Sequence, residues 1–372
     1  MKKSLLAIAI AAAVPAVASA QVIVGGIMDG GFNSVTTKQG TETTVTQTGG
    51  NASGALASNR LFFRGTEKIG DMTAGFHYEL GMDAGGTGNL AVGMTNNGNG
   101  APISTAPGQG VRRSVVTLAG GFGMVEIGRD YTPIFSLSAA TDTSMADNVN
   151  IGKSVYLNGA ASITTVRNNG QIMYTLPSMG GVTAKVAIVN RGADPNANGN
   201  VESVGGSIVY NAGPLMLGAA MNTQETMTCS AAATATAASQ LIGFGSGNSV
   251  CDAAKPLTKT KREETLIGGT YMVNQELSFQ AMWGELKTGG VKTYGGYQVG
   301  AKYNITPTLM IHASGGSGDG SVGDLTAYKF GLINSLSKRT RLYALFGMDD
   351  LKVTGKATRE RSEFAVGLNH AF

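Results

Sequence analysis

Charge is scarce in this chain: only 14% of its 372 residues are Asp, Glu, Lys or Arg, against about 25% in typical soluble domains. Lys and Arg total 28 and Asp and Glu 24, a formal net charge of +4, so no polybasic surface for nucleic acid is indicated. Histidine is limited to His77, His312 and His370. Each lies in an extended, alternating segment without a nucleophile elbow, which leaves Ser-His-acid hydrolysis without a seat and argues against an enzyme. Cysteine is limited to Cys229 and Cys251. Two sulfurs with no histidine close by do not complete a four-ligand metal centre, so neither metal nor cofactor is expected. Aromatic residues amount to 6%. Long apolar runs are missing as well: after residue 20 none approaches the roughly 20 residues of a membrane-spanning helix. Any membrane crossing must then be made by strands, which satisfy their backbone groups in lipid only by closing into a barrel.

What is present begins at the amino terminus. Lys2 and Lys3 precede the apolar run Leu5 to Val17 and the small-residue site Ala18-Ser19-Ala20, the pattern of a secretory signal peptide cleaved after Ala20. The reading divides the chain into residues 1–20, a signal, and 21–372, one domain. Removing two lysines takes the formal charge from +4 to +2. Export places Cys229 and Cys251 in an oxidising compartment, where a disulfide closing one loop is expected, worth about 3 kcal/mol. Glycine occupies 55 positions, which suits short strands and turns.

Segments of about ten residues with alternating apolar and small or polar side chains recur along the remaining chain. Tight connections fall at Glu67 to Met72, Ala119 to Gly123, Pro177 to Gly181, Asn211 to Pro214, Val273 to Glu276, Asn304 to Thr308 and Ser335 to Thr340. Seven hairpins plus one strand at each end predict sixteen strands. They are placed near 22-32, 56-67, 72-82, 112-119, 123-131, 168-176, 181-190, 201-211, 214-224, 263-273, 276-287, 292-304, 308-315, 323-335, 340-349 and 361-372. The intervening segments 33-55, 83-111, 132-167, 191-200, 225-262, 288-291, 316-322 and 350-360 read as external loops. The expected fold is all-β: a sixteen-stranded antiparallel transmembrane barrel with short periplasmic turns and long external loops. In the last strand Phe364, Val366, Leu368, His370 and Phe372 share one face, and Ala365, Gly367, Asn369 and Ala371 the other. The Gly-rich stretches Gly243 to Asn248 and Gly315 to Asp324 lack the strand-to-helix setting of a phosphate loop and read as external loops.

Several blocks together resemble the trimeric general porins of β-proteobacterial type: VIVGGIMDGGFNS, SNRLFFRGTEKIGDMTAGFHYEL, RRSVVTLAGGFGMVEIGRDYTP, LSKRTRLYALFG and FAVGLNHAF. The resemblance spans the whole mature chain. It departs from the family's pattern in Ser-Asn-Arg before the second strand, in Phe62, and in the Ala-Thr run and cysteine pair of the fifth loop. It implies an outer-membrane homotrimer in contact with lipid and lipopolysaccharide, an inward-folded third loop, here about Thr132 to Arg167, and passive diffusion of small hydrophilic solutes and ions. A substrate-specific channel and a plugged structural or adhesin barrel are the alternatives. The first would favour eighteen strands or an aromatic track along the lumen.

Within that frame the third loop carries Asp142 and Asp147, with Lys153 and Arg167 toward its far end. The expectation is an acidic face on the loop opposed by a basic wall, producing a transverse field and a mild anion preference. Arg60 and Arg64 share one strand face, with Leu61 and Phe63 on the other. Arg112 or Arg113 joins them. Alternation puts Arg129 on the face of Val125 and Ile127, toward lipid, a subunit interface or a bulge, and only the resemblance brings it near the constriction.

Overall fold

A computed structural model describes residues 22–49, 54–82, 110–149, 151–157, 161–162, 164–190, 201–229, 257–321 and 323–372. The expected signal segment, Cys251 and the stretch Gly243 to Asn248 lie outside the described residues, as does the side chain of Cys229, and so does the disulfide expected between the two cysteines.

The wall begins with β1 (Ile23–Gln39), β2 (Glu42–Gly49), β3 (Arg60–Ile69), β4 (Met72–Gly81), β5 (Gly110–Gly120) and β6 (Gly123–Tyr131). Helix α1 (Pro133–Thr141) and the short pair β7 (Tyr156–Leu157) and β8 (Ala161–Ser162) follow. The wall resumes with β9 (Arg167–Thr175), β10 (Val182–Val189), β11 (Val201–Ala212), β12 (Leu215–Cys229), β13 (Leu257–Met272), β14 (Leu277–Thr288), β15 (Val291–Asn304), β16 (Leu309–Gly320), β17 (Asp324–Ser335), β18 (Thr340–Lys352) and β19 (Arg359–Ala371). Neighbours in sequence pair antiparallel, and β1 closes the sheet on β19 from Ile27↔Ala371 to Gln39↔Arg359. The upper part of β1 pairs with β2 and its lower part with β3, so these two form one interrupted strand. Counted that way, the barrel is a closed cylinder of sixteen strands. All seven predicted hairpin turns join the strands they were expected to join.

Several stretches expected to be loops are strand, among them residues 225–229 and 257–262, which lengthen β12 and β13. Residues 33–49 continue as a Thr-rich hairpin turning at Gly40, whose φ is +61°. β-branched threonines suit pleated wall as well as they suit an exposed connection. Residues 316–320 extend β16, so most of the Gly315 to Asp324 stretch is wall, with Asp319 paired to Lys292 at 2.7 Å. The connection between β14 and β15 shrinks to Gly289 and Gly290 at φ +61° and +81°.

Outward faces are greasy. In β17 Tyr328, Phe330 and Leu332 are exposed while Leu325, Ala327, Lys329, Gly331 and Ile333 are buried. In β19 Phe364, Leu368 and Phe372 face out, and Ala365 and Asn369 face in, as the alternation predicts. The inward face of β11 to β18 also carries a buried apolar patch among polar side chains, which the rule of a wet lumen does not lead one to expect. The cause is the third loop: Ile134 and Leu137 of α1 and Val155 pack with Ala220, Leu266, Met282, Leu286, Tyr294, Leu325, Ala327 and Leu351 in one buried cluster. This barrel therefore contains a core inside its lumen.

Candidate functional site: the narrowed lumen

The path of the third loop is set from its first residue. Thr132 caps α1 by accepting the Phe135 N–H at 3.1 Å, and Pro133 occupies the first helical turn, where a missing N–H costs nothing. Along the wall, inward-facing glycines provide the seats. A Cβ on Gly218 would stand 2.5 Å from Leu137, one on Gly268 2.8 Å from Thr141, and one on Gly300 2.5 Å from Thr143. The loop's side chains settle this close to the wall where the wall has no side chain of its own.

Past α1 the loop is fixed by an ion-paired knot. Asp142 accepts from the Ser144 N–H at 2.9 Å and from its hydroxyl at 2.8 Å, and pairs with Lys153 at 3.0 Å. Lys153 also reaches Asp147 at 3.2 Å. Asp147 in turn meets Lys329 of β17 at 2.5 Å, and Lys329 donates as well to the Val149 carbonyl. All four charged residues are 3% exposed or less. Burial alone would raise the Asp142 carboxyl, but the Lys153 and Lys329 ammoniums and the Ser144 donors together hold it below its ordinary value. Of the residues expected to form the loop's acidic face and its far end, Asp142, Asp147 and Lys153 are buried against the wall, paired with one another and with Lys329. The physical reason is the anchoring that a loop crossing an open cylinder requires. Asn148 adds a tie to the segment returning from β2, its N–H donating to the Ala55 carbonyl at 3.0 Å.

Among the described residues, loop 3 packs against the inner side of β10 to β18 and leaves the wall of β3 to β6 and β9 largely bare, apart from Phe135 on Tyr131. Guanidiniums gather there. Arg60 lies 3.7 Å from Glu79, and Arg112 donates to Glu79 at 2.6 Å. Arg113 forms a two-pronged pair with Asp130 at 2.7 and 2.6 Å and touches His77 at 3.0 Å. Arg64 is exposed on the same face as Arg60, its guanidinium 5.2 Å from the Phe62 ring. Two successive residues of a regular strand cannot both face inward, yet Arg112 and Arg113 do. The pairing of β4 with β5 steps from Glu79↔Arg113 to Leu80↔Val111, so Arg112 is the extra residue of a β-bulge that turns it into the lumen. A second irregularity, between Gly128 and Asp130, holds Arg129. Half-buried, Arg129 donates to the Val111 carbonyl at 2.7 Å and to Asn169, and so binds the wall's backbone and rim rather than the cluster.

Tyr131, Glu79, Asp130 and Lys329, which were not among the expected site residues, complete the arrangement together with Arg167, expected at the far end of the third loop. Glu79 had a signal: the turn at Gly70 and Asp71 fixes Phe62 opposite Glu79, on the inward face shared with Arg60. Tyr131 had none, because the irregular β6–β9 register defeats simple alternation.

The comparisons with known proteins agree with this architecture. Residues 6–354 match the Gram-negative porin family. Outer membrane porin protein 32 of Delftia acidovorans is 28% identical over 393 residues, covering 100% of both chains. An anion-selective porin from Comamonas acidovorans superposes with a TM-score of 0.68 at 22% identity, over 95% of this chain and 100% of that one. OmpF of Salmonella typhi, in a complex with daunomycin, gives 0.61 at 15% identity, over 95% and 98%. A porin barrel of this kind resides in the outer membrane, where it serves as a diffusion channel. The chain belongs to the Gram-negative porin family.

Proposed function

We propose that the channel is a general diffusion pore with a preference for anions, set at the bare wall by Arg60, Arg64, Arg112, Arg113 and Arg167. One observation carries this: Arg60, Arg112 and Arg113 share two carboxylates, Glu79 and Asp130, and Arg167 is held by the Tyr131 hydroxyl instead, while the two carboxylates of loop 3 are matched by two ammoniums. The excess charge at the narrowed lumen is then positive. A unit charge about 4 Å from a permeating ion is worth roughly 1 kcal/mol even in water, about a fivefold bias between a univalent anion and no charge. The description of the Comamonas relative as anion-selective supports the same reading.

The working unit is a homotrimer, a reading supported by a trimeric form among the similar structures, OmpT of Vibrio cholerae. Its contacts fall on the early strands, and the remaining outer face meets lipid and lipopolysaccharide. The pore carries no reaction chemistry, and purified trimers are expected to show no hydrolytic activity. The deciding test is the zero-current potential across a planar bilayer in a KCl gradient. Wild-type protein should give the sign of chloride preference, and Arg60→Gln or Arg112→Gln should move it toward zero. A cation-preferring wild type would refute the assignment.

A further inference from the structure

The guanidiniums of the bare wall are not equivalent. Arg112 and Arg60 share Glu79, and Arg113 is spoken for by Asp130. Arg64 and Arg167 differ: among the described residues neither has a carboxylate within ion-pairing distance, but Arg64 is exposed beside the Phe62 ring, whereas Arg167 is half-buried and its buried Nε has no hydrogen-bond partner. What holds it is Tyr131, its register partner across β6 and β9. Arg167 Nη2 donates to the Tyr131 hydroxyl at 2.8 Å, and its guanidinium stands 4.4 Å from the centre of the same ring.

Tyr131 is itself fixed from several sides. Its ring stacks on Phe135 of α1 at 5.0 Å and 20°. Arg113 lies over it at 5.6 Å. Arg112 Nη2 approaches the hydroxyl at 3.4 Å, and Gln171 donates to the Tyr131 carbonyl at 3.2 Å. An aromatic face holds a guanidinium without cancelling its charge, whereas a carboxylate cancels it. Resting on the anion preference argued above, we infer that Arg167 is a selectivity-determining charge of the pore and that Tyr131 is its positioning residue, anchored to loop 3 through Phe135.

The inference separates position from charge, because substitutions at Tyr131 leave the net charge unchanged. Zero-current potentials and single-channel conductance would be recorded in KCl gradients for wild type, Arg167→Gln, Tyr131→Phe and Tyr131→Leu. Arg167→Gln should lower the chloride-to-potassium permeability ratio by about 25-fold, about fivefold from lost attraction for chloride and about fivefold from lost repulsion of potassium. Tyr131→Leu, which loses ring and hydroxyl, should approach that loss. Tyr131→Phe, nearly the same shape, keeps the stacking and should fall between. Wild-type potentials in both Tyr131 variants, with a shifted Arg167→Gln, would overturn the positioning role. An unshifted Arg167→Gln would overturn the assignment of Arg167. A wild type without chloride preference would overturn the underlying anion reading instead, and with it this one.

Discussion

Lys329→Met tests the claim that charge, rather than loop packing alone, seats the third loop. Lys329 is 0% exposed and contacts Asp147 and the Val149 carbonyl. The knot balances two ammoniums, Lys153 and Lys329, against the carboxylates of Asp142 and Asp147. Methionine keeps the length and apolar bulk of the lysine stem but leaves one negative charge unmatched where water does not reach. Removing one partner of a buried pair costs about 3–5 kcal/mol, two to three and a half decades in an equilibrium at roughly 1.4 kcal/mol per decade. The expected outcome is a loop that leaves its seat: higher and noisier single-channel conductance, with a lower temperature for unfolding of the barrel in detergent. Adding Asp147→Asn restores neutrality, one ammonium facing one carboxylate, and should recover more than half of the loss. Wild-type conductance and melting in Lys329→Met would refute the reasoning, as would a double variant whose loss equals the sum of the two single ones.

Three further outcomes follow from the same geometry. Asp142 has a folded-state pKa below its unfolded value, so the stability it contributes is full above about pH 4 and is lost as pH falls toward the folded value; melting temperatures should hold from pH 7 to about 5 and drop below about 4. Gly268→Ala would press a methyl group to within 2.8 Å of Thr141 and should cost about 1–3 kcal/mol by calorimetry, whereas Gly121→Ala, with open space around it, should stay within about 0.5 kcal/mol. Val299→Arg places a charge on the outward face, where Val299 is 52% exposed, and should destabilise refolding into bilayers by about 2–4 kcal/mol if it sits near the membrane midplane.

The sequence alone determined the cylinder. Strand alternation and turn residues are local properties, and the seven tight connections and the two faces of β19 could be read from them because a period of two decides which side chain meets lipid. Cross-strand register around a tight turn likewise tied Arg60 and Arg64 to the lumen. Tertiary structure decided what fills that lumen. Residues 33–49 read as loop because threonine suits both loop and strand, and only pairing with the rest of β1 settles the choice. The apolar inner faces of β13 and β17 make sense only with loop 3 lying on them, α1 on the first and the stretch from Val149 to Val155 on the second, contacts between segments more than a hundred residues apart. Asp142 and Asp147 read as pore-facing acids because a carboxylate in a polar loop carries no mark of burial; Lys329, far along the chain, is what allows both to be buried. Arg112 and Arg113 enter together, and Arg167 meets Tyr131, because of irregularities in strand pairing, and a register step between two strands is a property of neither strand by itself.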